Sequence, residues 1–141
     1  MLAELELKAA VPAQHLPIYR LEAELLKQPQ VECPVEHAFC SGLYARTMRI
    51  PAGTILTGAV HRDECIFVLR RGTLAVTTDD GTKVLEAGDQ FVTPAGTKRA
   101  GVAITDVVCT TYHANPTETR DPIALWDLFT VPAPALALGE Q

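Results

Sequence analysis

Two spaced glycine frames constrain this chain more than anything else in it. The second, Gly88-Asp89-Gln90-Phe91-Val92-Thr93-Pro94-Ala95-Gly96-Thr97-Lys98-Arg99, reads as a short strand closed by a Pro-x-Gly turn, with a cationic residue pointed back at whatever that strand faces. The first runs from Gly53 to Gly72 and pairs with it. Together they predict a small β-barrel whose interior holds a site.

The segments around these frames agree. Residues 1–16 have no clear period and read as an arm or an added edge strand. Pro17 opens a helix, since a first-turn proline gives up no hydrogen bond. Ile18, Leu21, Leu25 and Leu26 recur at helical spacing, and Gln28-Pro29 ends the run. Strands are predicted at Leu43–Ile50, Thr54–Val60, Cys65–Leu69 (continuously apolar, hence buried on both sides), Thr73–Thr78, Lys83–Leu85, Gln90–Val92 and Asp106–His113. Asp79-Asp80-Gly81 predicts a tight hairpin. Asp121-Pro122 predicts a helix start, and the apolar, proline-broken tail from Val131 to Leu138 cannot pack on itself. Strands at this spacing, with turn signals between them, predict an antiparallel barrel or sandwich.

Bulk properties exclude several function classes. The 12 basic and 17 acidic residues leave a net charge of −5, and only Arg70-Arg71 and Lys98-Arg99 form basic pairs, too few for a nucleic-acid surface. No apolar run is long enough for a membrane span, and no signal peptide is evident, so a cytoplasmic, unsecreted protein is expected. Cys33, Cys40, Cys65 and Cys109 form no Cys-x-x-Cys pair and read as reduced thiols, a Cys33–Cys40 bridge being the one conceivable exception.

With these residues in view, the spacing resembles the cupin family. In its first motif (Gly, five residues, His-x-His, three or four residues, Glu, six residues, Gly), the matching positions here are Gly53, Ala59-Val60-His61, Cys65 and Gly72. In its second (Gly, five residues, Pro-x-Gly, two residues, His), they are Gly88, Pro94-Ala95-Gly96 and Arg99. The glycine and proline frame matches across about fifty residues. Three of the four metal-ligand positions do not: Ala59, Cys65 and Arg99 replace them, and His61 alone stands. A narrower resemblance, over roughly residues 29–115, is to small cupin-like proteins of tailed bacteriophages and prophages; its features include Pro34-Val35-Glu36-His37-Ala38-Phe39 and Pro94-x-Gly96-Thr97-Lys98-Arg99.

The resemblance implies an all-β, cupin-type antiparallel jelly-roll barrel over residues 31–116, preceded by an arm and short amphipathic helix (1–30) and followed by a helix and Pro/Ala-rich tail (117–141), all one structural domain. His61, Cys65, Arg99 and His113 are the pocket and ligand candidates. His61 is either an inward imidazole satisfied by its neighbours or a ligand or general base. Cys65 reads as a buried small hydrophobe unless Arg99 or His61 activates it. Arg99 needs a carboxylate such as Asp106, Glu64 or Asp63, or else an anionic ligand such as a phosphate, carboxylate or sugar acid. His113 shares a face with Thr111 and Cys109 by period two. His37, Tyr44 and Arg46 form a polar cluster at the barrel mouth or a contact with another chain.

No cofactor is expected. If a metal binds, it is zinc, on His61, Cys65 and His113 or Cys109. Trp126, Phe129, Leu136 and Leu138 are interface candidates. The expected function is non-enzymatic: a phage-encoded protein acting through assembly, as a homo-oligomer or with other virion proteins in the head or tail, in the host cytoplasm or the particle. The alternative is an anionic or sugar-like small-molecule binder, or a metal-dependent enzyme, using the barrel pocket.

Overall fold

A computed structural model describes residues 11–133; the expected interface residues Leu136 and Leu138 lie outside them. A single 3-10 turn (Ala13–His15) leads into α1 (Leu16–Leu26), with Pro17 in its first turn. The strands are β1 (Val35–Cys40), β2 (Leu43–Ile50), β3 (Ile55–Thr57), β4 (Val60–His61), β5 (Cys65–Arg71), β6 (Thr73–Thr78), β7 (Gly81–Glu86), β8 (Gln90–Thr93), β9 (Ala100–Ala103) and β10 (Val107–Ala114). Helix α2 (Pro122–Phe129) and β11 (Thr130–Val131) follow.

Nine strands form two antiparallel sheets, in the orders β1-β2-β10-β5-β8 and β3-β9-β6-β7. Their inner faces meet. Ile50, Leu69, Val107 and Cys109, contributed with or beside the first sheet, pack against Leu74, Leu85 and Ala103 of the second, all buried. This is the mostly β jelly-roll that the strand spacing predicts. Gly72 closes the corner between β5 and β6 at φ +87°, where a Cβ would run into the Asp106 carbonyl oxygen, so no other residue fits there without movement.

The structure corrects two strand expectations. The segment Thr54–Val60 is not one strand: β3 ends at Thr57 and β4 begins at Val60, and between them the Gly58 N–H bonds the Arg99 carbonyl (2.9 Å) while the Gly58 carbonyl accepts from Lys98 Nζ (2.7 Å). Strand β5 is not buried on both sides. Ile66 is 45% exposed and pairs with Val92, 54% exposed, on the outer face of the sheet. Its apolar run therefore conceals an ordinary alternation. Strand β1 was not among the predicted segments, and two short pieces were missed as well. Strand β9 is made of small residues, and β11 follows α2 directly to pair with β4 (Thr130 opposite His61).

Asp121 caps α2 as predicted, its Oδ1 accepting the Ile123 N–H at 3.1 Å. The β11–β4 pairing and a 2.7 Å bond from the Arg62 N–H to the Phe129 carbonyl hold α2 beside the end of the barrel.

Candidate functional site

The barrel encloses a cavity of about 420 Å³, in the range of small-molecule sites. Its position follows from strand register. Phe91, Phe67, Thr111 and Arg46 are successive cross-strand partners on β8, β5, β10 and β2, and all four line the cavity. The Phe67 and Phe91 rings stack at 5.2 Å. Leu74, Val76 and Leu85 of the opposite sheet supply an apolar floor.

All four positions that carry metal ligands in the resembled motifs face this space: Ala59, His61, Cys65 and Arg99. The two glycine frames are joined at the site, because the Gly96 N–H of the Pro-x-Gly turn donates to the His61 carbonyl at 3.0 Å. Gly96 makes that turn at φ +79°.

Arg99 lacks the ion pair foreseen for it. Asp106 Oδ1 is occupied by the Ala52 N–H at 2.8 Å, closing the turn before β3, and Asp63 and Glu64 lie at a separate small rim pocket with His61 and His113. The guanidinium instead donates from Nη1 to Thr93 Oγ1 (3.2 Å) and rests on the Phe91 ring (5.1 Å). Its Nε is buried without a hydrogen-bond partner. Burial pushes the group down from its ordinary value, opposed by Cys65 and Asp79, yet a guanidinium stays charged in a protein. Arg46, expected at the mouth or in an intermolecular contact, also lines the cavity, with its guanidinium 4.9 Å from the centre of the Trp126 ring. Among the described residues, the ion pairs are Lys27–Glu24, Arg49–Glu36 and Lys98–Glu22, so neither inward arginine has a carboxylate partner.

Cys65 is buried opposite Thr93 on β8. Burial raises its thiol pKa, against smaller lowering influences from Thr93 and Arg99, so the sulfur is not an activated nucleophile.

His113 does not line the cavity. It sits behind His61, buried, with Nε2 bonded to Thr111 Oγ1 at 2.8 Å and its ring stacked on His61 (5.1 Å) and Phe129 (5.2 Å). Period two places it on the inward face correctly, but it lies one pair further along β10 than Thr111, where α2 covers it. Desolvation lowers its pKa to about 4, helped by His61 and Arg46; His61 is lowered by burial and Arg46 as well. His37 Nδ1 bonds the Tyr44 hydroxyl (2.6 Å), and Tyr44 stacks with His113, continuing the aromatic layer. Trp126 and Phe129 thus have partners within their own chain: Trp126 stands edge-on to His61 and lines the cavity, and Phe129 stacks on His113.

The residues present do not fit the metal of the resembled motifs. Among the described residues, no three His, Cys, Asp or Glu side chains come together to hold an ion. His61 and Cys65 face the cavity, His113 is engaged behind them, and Arg99 adds a positive charge where a ligand would be required. What the residues place at the cavity is two guanidinium groups within largely apolar walls.

A buried ion pair at the site carries no local sequence signal. Lys98 is buried, and its Nζ donates to Glu22 Oε1 of α1 (2.7 Å) and lies 4.5 Å from the centre of the Tyr19 ring. Thr57 Oγ1 donates to the same carboxylate oxygen at 2.8 Å. Glu22 therefore brings α1 into the cavity wall. The adjacent basic pair Lys98-Arg99 was the available signal, since its two members turn to different partners.

Comparison with known proteins agrees with this frame. Residues 46–114 match the family described as Cupin domain. KdgF from Halomonas sp. is similar in structure, with a TM-score of 0.54 and 22% identity over 67% of this chain and 88% of that one. A salicylate 1,2-dioxygenase from Pseudaminobacter salicylatoxidans gives a TM-score of 0.58 and 20% identity over 82% of this chain but only 35% of the dioxygenase. A cupin superfamily protein from Desulfitobacterium hafniense gives 0.52 and 14%, over 65% and 85%. No curated protein matches the sequence. None of these likenesses points to a bacteriophage or to a virion. Residues 46–114 thus match the cupin family model, and the fold is a cupin-type jelly-roll.

Proposed function

We propose that this cupin domain binds a small organic anion inside its barrel, without a metal. One observation carries the reading: Arg99, standing where the resembled motif has a metal-binding His, presents a charged guanidinium to a cavity of about 420 Å³ and has no carboxylate partner. An unpaired, partly desolvated cation costs several kcal/mol, which a bound carboxylate would offset through charge-assisted hydrogen bonds. Arg46 adds a second positive charge to the same space, and the phenylalanine stack and leucine floor favour a ligand with an apolar body.

Thermal melts of the metal-free protein against a panel of small carboxylic acids test this reading. Saturating ligand raises the melting temperature, and Arg99→Met abolishes the rise. Stoichiometric metal by elemental analysis, or no response to any acid, overturns it.

A second reading keeps assembly as the function. It draws on exposed apolar side chains that the fold leaves uncovered, the Ile66–Val92 pair on one sheet and Ile123 and Leu128 on α2. Size-exclusion chromatography with light scattering tests it: a monomer absent from purified particles removes the virion role.

A further inference from the structure

Among the described residues, two side-chain polar atoms are buried without a hydrogen-bond partner: Arg99 Nε and Glu22 Oε2. Both residues line the barrel cavity, one from the Pro-x-Gly segment and one from α1. They have opposite polarity. Nε–H can only donate, and a carboxylate oxygen can only accept. Buried groups left unpaired are rare in native proteins, so two complementary ones on residues that line a single cavity call for an explanation.

The surroundings narrow what would satisfy them. Glu22 Oε1 already accepts from Lys98 Nζ (2.7 Å) and Thr57 Oγ1 (2.8 Å), and the buried ammonium balances the carboxylate charge. Oε2 therefore needs a donor but no further cation. Arg99 needs an acceptor, and its charge is unbalanced. A ligand ammonium group would add a positive charge to Lys98, Arg46 and Arg99, facing one carboxylate; a hydroxyl would not. The apolar walls, with Phe67, Phe91, Leu74 and Leu85, disfavour a fully hydrated ion such as inorganic phosphate.

Resting on the anion-binding reading of the barrel, we propose that the ligand is a hydroxycarboxylate with an apolar body, its carboxylate on Arg99 and its hydroxyl donating to Glu22 Oε2. Helix α1 is then part of the binding site rather than an accessory to the barrel.

Isothermal titration of the full-length protein with matched pairs of acids tests this: lactate and propionate, 3-hydroxybutyrate and butyrate, mandelate and phenylacetate, 3-hydroxybenzoate and benzoate. In at least one pair, the hydroxylated member binds about tenfold more tightly, the worth of one buried hydrogen bond to a charged acceptor. Glu22→Gln, checked for folding by circular dichroism, reduces that ratio toward one. If Glu22→Gln does not fold, the paired acids on the unaltered protein decide alone. Equal affinities within every pair overturn the hydroxyl assignment and leave the anion reading standing. Binding of none of the acids, or of inorganic phosphate as tightly as any of them, overturns the organic-anion reading itself.

Discussion

Lys98 and Glu22, separated by 76 positions in sequence, form a buried ion pair at 2.7 Å that fastens helix α1 to the barrel. The Lys98 side chain is 2% exposed and also donates to the Gly58 carbonyl. That carbonyl lies in the break between β3 and β4. One buried cation therefore ties helix α1 to the segment between β3 and β4.

Removing one member of a buried pair leaves the other uncompensated, whereas replacing both with apolar groups is far less costly. Lys98→Met is expected to destabilise the protein by about 3 kcal/mol, and the double variant Lys98→Met/Glu22→Leu to recover most of that loss. Urea unfolding of the two variants measures the difference. Equal losses in both would mean that the pair does not fasten the helix.

Arg99 is expected to behave in the opposite way. Its Nε has no partner and its one hydrogen bond is to Thr93. Arg99→Met should leave the ligand-free protein as stable as before, or more stable by about 1 kcal/mol, since an orphaned buried donor disappears. Stabilisation by organic acids should vanish in the same variant. Thermal melts with and without acid separate the two effects, and a variant less stable without ligand would make Arg99 a structural residue.

What the sequence revealed of this molecule depended on range. Strands β2 and β6 and the Asp79-Asp80-Gly81 hairpin were legible because local alternation and turn chemistry determine them, and the Asp121 cap is likewise settled within three residues. Of the expected pocket residues His61, Cys65, Arg99 and His113, the structure places the first three on one cavity and His113 behind His61. Strand β9 was not legible: Ala100, Gly101 and Ala103 have little hydrophobic pattern, and Gly101 is small because a Cβ would stand 3.0 Å from the Ala75 carbonyl. Asp106 looked like a partner for Arg99, but a backbone amide from a distant turn holds it. Glu22 was unreadable as a site residue for the same reason: the residues it meets, Thr57 and Lys98, lie far along the chain.

Acid should loosen the covered end of the barrel. His113 is neutral in the folded protein because burial and the nearby His61 and Arg46 depress its pKa to about 4, below the ordinary histidine value of 6.5. His61 shifts in the same direction. The unfolded chain then binds protons that the folded chain refuses, so stability is complete above about pH 6.5 and falls as the pH drops toward 4. For His113 the loss is on the order of 3 kcal/mol, with little further loss from this group below pH 4, where the folded form also protonates. Urea midpoints across this range measure it. His113→Phe, which keeps the stacking on Phe129, should flatten the profile; an unchanged slope would assign the acid sensitivity to other groups.

Trp126 is the single tryptophan of the chain, and it lies where cavity, His61 and Arg46 meet. An anion that draws the Arg46 guanidinium from the indole face would remove a cation–π contact worth about 0.5–2 kcal/mol and alter the environment of the ring. Binding in the barrel should therefore change the intrinsic tryptophan fluorescence at the same ligand concentration that raises the melting temperature. Arg46→Met should change the fluorescence before ligand is added and reduce the response to it. Trp126→Phe, by contrast, should retain the aromatic edge over His61 and the thermal response to acid while losing the signal. A thermal response with no fluorescence change would put the bound anion away from Arg46, nearer the Thr93 side of the barrel.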